Sequence, residues 1–164
     1  MIKYSKIKLL LDNLKIPYQL IEHPPVFTAE QADKYVSGID CKKTKSLFLT
    51  NRKQTEFYLV FMSDNKRLNM KKFAQIVNEK HVSFAPDEVL LQKLGVKTGT
   101  VSVFNLLNNI DKDVQVFFEQ DLLGNIPLTF HPNDNTKTIL IKPQDVFKFL
   151  TMQDYDYELI KVKK

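Results

Sequence analysis

Apolar residues Ile7, Leu10, Leu11 and Leu14 recur at i, i+3, i+4 and i+7, predicting an amphipathic helix over about residues 4–15 that Pro17 stops. Tyr18 to Glu22 reads as a short strand, and His23-Pro24-Pro25 forces an extended bend because a residue before proline is driven out of the helical region. Thr28-Ala29-Glu30-Gln31 is a capping box that opens a helix to about Val36. Leu47–Leu49 and Phe57–Met62 are apolar runs of buried-strand type, joined across the polar stretch Asn51 to Glu56 as a hairpin.

Further on, the pattern predicts helices over 71–79 and 88–94, and a short strand at 81–84. Gly95 and Gly99 bracket a tight turn leading into Val101 and Val103. Strands are expected at 114–118, 128–130 and 138–141, a helix that starts at Pro143, and an edge strand over 157–162. No repeat, low-complexity tract or linker interrupts the series. The expectation is a single α/β domain spanning 1–164, with a mixed sheet, helices and short connections.

Composition narrows the class. A chain of 164 residues, 43% hydrophobic and 26% charged, can bury a continuous core without metals or disulfides. No apolar run approaches the ~18 residues that cross a bilayer, so no membrane partner is expected. One cysteine, Cys41, excludes an internal disulfide and any CxxC motif, and a reducing cytoplasm is the natural setting. The net charge of +5 permits a polyanionic partner. Its carriers fall in three groups: Lys42, Lys43 and Lys45; Lys66, Arg67, Lys71 and Lys72; Lys161, Lys163 and Lys164. Such groups are commonly solvated faces, but folding could gather them at one phosphate-binding cleft.

The densest candidate chemistry is Phe130-His131-Pro132-Asn133-Asp134-Asn135-Thr136-Lys137-Thr138, between two strand-like runs. A plain turn needs one or two such polar residues, so this density suits a ligand, and Pro132 stiffens the backbone that presents His131. The plainer alternative is a polar loop with a solvated histidine. Lys45 is the second candidate, because a period of two puts it in line with Leu47 and Leu49 at a strand mouth. Its ammonium there could hold a phosphate or carbonyl oxygen as a point charge, or snorkel to water. Gly99 is the third, in a turn whose amides could face a ligand. His23 reads as the cap of a bend and His81 as a core or surface histidine. No histidine pair has zinc-ligand spacing, and no GxSxG, Walker or GxGxxG motif is present.

His23-Pro24-Pro25-Val26-Phe27-Thr28, Lys45-Ser46-Leu47-Phe48-Leu49, Leu94-Gly95-Val96-Lys97-Thr98-Gly99-Thr100-Val101, and Phe130-His131-Pro132 with Asn135, Thr136 and Thr138 occur in that order. Their order and spacing resemble the YbaK-like aminoacyl-tRNA editing domains, and most closely the free-standing prolyl-tRNA editing type that hydrolyses alanyl-tRNA(Pro). The resemblance covers about residues 5–150. Ser46 stands where this subgroup often has Asn, and Thr98 and Val103 stand where proline is common.

What the resemblance implies is a single α/β domain with a mixed, largely antiparallel sheet flanked by helices, and hydrolysis, in trans, of the ester between a wrong amino acid and the terminal ribose of tRNA(Pro), with no metal or other cofactor. The family's strand lysine falls on Lys45, its histidine on His131 and its glycine turn on Gly99, Thr100 and Val101. Amides of that turn would stabilise the oxyanion. Val26, Phe27, Val103 and Phe130 are expected as walls of a pocket that admits alanine and not proline, with Thr28, Ser46 and Asn135 beside the substrate. Such a second sieve is required because one methylene discriminates by only ~1–3 kcal/mol. Prolyl-tRNA synthetase is a further partner that the resemblance suggests. Alternatives are a deacylase for cysteinyl-tRNA(Pro) or another small aminoacyl-tRNA, a non-catalytic tRNA- or synthetase-binding module, and a small-molecule-binding protein.

Overall fold

The computed structural model describes residues 3–163. Helix α1 (Tyr4–Asn13) buries Ile7 and Leu11, the centre of its apolar stripe. Strand β1 (Gln19–Glu22) follows, then helix α2 (Ala29–Asp33), continued by a 3₁₀ turn over Lys34–Val36. Thr28 caps α2 by accepting from the Gln31 N–H at 3.1 Å, while Gln31 Oε1 accepts from the Phe27 N–H at 2.8 Å. The capping box is therefore present, with its return bond shifted one residue outward.

Strands β2 (Thr44–Asn51) and β3 (Phe57–Ser63) form the expected hairpin, its loop pinned by Asn51 Oδ1 accepting from the Thr55 and Glu56 N–H groups. Helix α3 (Met70–Ile76), strand β4 (Val82–Phe84) and helix α4 (Asp87–Leu94) come next, and Gly95 ends α4 at a left-handed φ of 69°. A 3₁₀ helix spans Val103–Asn108, shortly after the glycine turn. The rest is β5 (Val114–Glu119), β6 (Leu128–Phe130), β7 (Lys137–Ile141), α5 (Pro143–Met152) and β8 (Tyr157–Ile160).

The strands divide between two sheets rather than the one expected. A five-stranded mixed sheet runs β4-β2-β3-β5-β8, antiparallel through β3 and parallel beyond it, with β8 at its edge. An antiparallel three-stranded sheet runs β1-β7-β6. A single bridge between Lys42 and Leu128 joins them before Phe130 swings away to pair with Ile139.

The main core contains Phe48, Phe61, Phe104, Phe118, Phe130 and Phe149, with Ile7 and Leu11 of α1. A smaller cluster of Leu49, Tyr58, Val60 and Phe117 packs against Phe73 of α3. Phe48 and Leu49 thus serve opposite faces of β2. Burial on both faces explains why β3 reads as a continuous apolar run.

Candidate active site

Where the two sheets part, a cavity of about 430 Å³ opens between α2, β2, the 95–102 loop and the 130–138 loop. Lys45 and His131 both line it, together with Val26, Phe27, Thr28, Ser46, Gly99, Thr100, Val101, Phe130 and Asn135. The folded chain therefore brings eleven of the twelve sequence-selected residues to one place. The exception is Val103, whose expected place in the pocket wall is corrected. Ser102 caps the 3₁₀ helix that turns Val103 inward, and Val103 lies 1% exposed in the main core. Phe48, Leu90 and Val36 supply apolar wall in its stead.

The histidine loop is braced mainly by its own polar groups. Asp134 Oδ1 accepts from the Thr136 N–H at 2.8 Å and from the Thr136 hydroxyl at 2.5 Å, and its other oxygen pairs with Lys137 at 3.1 Å. These contacts hold the Asp134 carboxyl below its ordinary range despite partial burial. Asn133 adopts a left-handed φ of 59°, which asparagine tolerates better than most residues. The polar density that seemed surplus for a connection is thus largely spent on shaping the loop, leaving His131, Asp134, Asn135 and Thr138 on the cavity wall.

His131 Nδ1 lies 3.0 Å from the Lys137 carbonyl. A carbonyl oxygen only accepts, so Nδ1 carries the proton and Nε2 is an acceptor in the neutral ring. Burial pushes the His131 pKa below its ordinary value, with neighbouring His23 acting the same way and the Lys137 carbonyl opposing. His23, a bend cap by sequence, does donate from Nδ1 to the Pro24 carbonyl at 2.9 Å. It also accepts at Nε2 from the Thr138 hydroxyl at 2.8 Å, stacks on Tyr35 and meets His131 edge-on at 6.5 Å. It therefore buttresses the site without lining it, a role that its sequence setting gives no sign of.

Lys45 shares the Leu49 face of β2, as its parity requires, and its ammonium donates to the Lys66 carbonyl. The basic groups do not gather at the cavity as a set. Lys66 is committed to Glu119 and Asp121, and Lys42 donates to the Asp121 and Leu123 carbonyls. Lys164 lies outside the described residues. Cys41 is not in the cavity wall, and burial pushes its thiol up, away from a thiolate nucleophile.

Other contributors were not legible in the sequence. Asp33 of α2 reaches the wall beside Asp64; burial first, and a hydrogen bond with Asp64 second, push the Asp33 carboxyl up to about 7. Asn105, fully buried, accepts from the Ser102 N–H at 2.6 Å and donates to Asn133. Among the described residues no three His, Cys, Asp or Glu side chains converge as a metal site, and no helix is long and apolar enough to cross a membrane.

Residues 23–149 match the family model of the aminoacyl-tRNA editing domain. This chain belongs to that family. The editing domain is 33% identical over 153 residues to the prolyl-tRNA editing protein ProX of Acetoanaerobium sticklandii, covering 93% of each chain. It is 30% identical to prolyl-tRNA synthetase associated domain-containing protein 1 of Danio rerio, across 89% of this chain and 80% of that one. Its fold matches the crystal structure of a candidate trans-editing enzyme for prolyl tRNA synthetase with a TM-score of 0.74 over 98% of this chain and 96% of that one, at 18% identity.

Proposed function

We propose that the editing domain is a trans-acting aminoacyl-tRNA deacylase of the cytoplasm that hydrolyses alanyl-tRNA(Pro). The observation that carries this reading is the meeting of the His131 ring, the Gly99–Val101 turn and the strand mouth bearing Lys45 on one cavity. That cavity exceeds what a three-carbon aminoacyl group needs and falls in the size range of whole small-molecule sites, so the terminal nucleoside enters with the ester.

In the reaction, water adds to the ester carbonyl carbon, the ribose oxygen leaves with a proton, and alanine and tRNA with free ribose hydroxyls result. The acceptor Nε2 of His131 orients the attacking water or the neighbouring ribose hydroxyl, since a neutral imidazole can take a hydrogen bond from either. The Gly99 and Val101 amides of the glycine turn meet the charge that develops on the carbonyl oxygen, typically worth about 3–4 kcal/mol per donor, while the Thr100 N–H is given to the Lys97 carbonyl. Lys45 holds a phosphate or carbonyl oxygen of the 3′ end in exchange for the Lys66 carbonyl. Likeness to ProX supports the prolyl-tRNA assignment, with alanine as the amino acid small enough to be mischarged and then removed.

The test is deacylation by the purified protein across a panel of alanyl-, cysteinyl- and prolyl-tRNA(Pro), beside Lys45→Ala and His131→Ala. The expected result is cleavage of the alanyl ester, reduced at least ~100-fold in each variant. Unaltered rates in both variants would remove the catalytic assignment, and preference for the cysteinyl ester would move the substrate.

A further inference from the structure

The hydrogen-bond direction along β2 leaves one gap in an otherwise covered strand edge. Odd-numbered residues turn their main chain toward β3: Asp64 donates to the Lys43 carbonyl and the Asn51 N–H donates to Glu56. Even-numbered residues face the other way. The Lys42 carbonyl accepts from Thr129 N–H, the Thr44 N–H donates to Thr129 Oγ1 at 3.1 Å, and the Phe48 carbonyl accepts from Ala85 N–H at 3.0 Å. A strand period of two then turns the N–H and C=O of Ser46 outward as well.

Nothing among the described residues covers them. The register that sets Leu49 against Phe84 would set Ser46 against Asp87, but Asp87 leaves the strand to begin α4. On the other side β6 leaves β2 after Thr129, because Phe130 pairs with Ile139. The edge is open for one outward-facing residue, and that residue lies in the cavity wall with Gly99 and His131. The unpaired N–H and C=O of a strand edge are a ready template for another backbone.

We propose that the main chain of Ser46 pairs with the amino-acid part of the substrate as a one-residue antiparallel strand. The α-ammonium donates to the Ser46 carbonyl, and the Ser46 N–H donates to the ester carbonyl oxygen. An extended aminoacyl group presents its nitrogen and carbonyl on the same side, which is the pattern of a hydrogen-bonded antiparallel pair. The pairing needs no side chain at position 46. It fixes which face of the ester meets the water, and it adds an N–H to the donors of the glycine turn. This inference rests on the deacylase reading above and specifies how that site holds its substrate.

Two measurements test it. Ser46→Pro and Ser46→Ala both lose the hydroxyl, but only the proline variant also loses the N–H, and it sits where no ladder bond to β3 is lost. Deacylation of alanyl-tRNA(Pro) is expected to be about 100-fold slower in Ser46→Pro than in Ser46→Ala, with circular dichroism confirming the fold of each. In the second, the wild-type protein is given alanyl-tRNA(Pro) and propionyl-tRNA(Pro), which lacks the α-nitrogen, with each rate divided by spontaneous hydrolysis. Acceleration is expected to be at least ~10-fold smaller for the propionyl ester. Equal rates for the two variants, or equal acceleration of the two esters, overturn the pairing while leaving the deacylase reading intact. Should Ser46→Pro not fold, the ester comparison decides alone. Failure of the wild-type protein to cleave alanyl-tRNA(Pro) at all is a different result and removes the deacylase reading itself.

Discussion

Asn105 and Asn133 are joined by a buried side-chain hydrogen bond that ties the 3₁₀ helix after the glycine turn to the histidine loop. Asn105 simultaneously accepts from the Ser102 N–H at 2.6 Å, so one fully buried amide holds both segments that face the cavity. Asn105→Ala strands these partners in the interior and is expected to destabilise the fold by about 1–3 kcal/mol. It should also lower kcat for deacylation more than it changes KM, because the two loops lose their common anchor. Thermal unfolding together with steady-state kinetics checks both; a stability loss with unchanged kcat would show the link to be structural only.

Gly99 has a φ of +91°, and a Cβ there would meet only the Phe27 carbonyl, at 3.8 Å. Space is available, so the cost of Gly99→Ala is the backbone conformation, of order 1 kcal/mol. The variant is expected to lose at least ~10-fold in deacylation as the turn relaxes and its amides re-aim. Gly124, at φ +125° with open space around it, is the comparison. Gly124→Ala should carry a similar stability cost with little change in rate. Equal rate losses in the two variants would contradict the role given to the Gly99 turn.

His131 is held neutral by burial, its pKa below the ordinary histidine value. The acceptor Nε2 therefore persists as pH falls through 6.5, and deacylation should decline only at lower pH. The stability contribution has the same sign. Below the unfolded pKa of about 6.5 the unfolded chain takes up a proton that the native ring resists, so stability falls with pH from there down. A pH–rate profile with an acid limb centred above 6.5 would contradict this account.

Asp33 shows the opposite linkage. Its pKa, pushed up to about 7 beside Asp64, lies above the unfolded carboxyl value, with Lys43 opposing the shift and Glu30 adding to it. Native protein thus holds the proton more tightly, and stability is lost as pH rises from about 4 through 7. Asp33→Asn mimics the protonated form. Its melting temperature is expected to match wild type at or below about pH 4 and exceed it at pH 8, and a difference of the reverse sign would refute the raised Asp33 pKa.

Local pattern carried most elements because their burial is periodic. The α1 stripe of Ile7 and Leu11, the β2–β3 hairpin and the Pro143 helix start all stand close to where spacing puts them. What spacing could not carry depends on partners distant in sequence. Val103 follows a glycine turn and reads as pocket wall, yet the Ser102–Asn105 cap coils it into the core. Asp33 is an ordinary acid until the α2 end meets Asp64 at the β3 end. The apparently ligand-rich polar loop proved partly self-bracing, because composition does not say whether a hydrogen-bonding group turns inward or out. The open edge at Ser46 follows from where two other strands end, and no residue at position 46 signals that.

The most direct measurement is the ratio of deacylation rates for alanyl-tRNA(Pro) and prolyl-tRNA(Pro) with the purified wild-type protein. Rapid release of alanine with the prolyl ester left intact is the predicted result, reporting hydrolysis and selection at once. Equal cleavage of both esters, or of neither, contradicts the account.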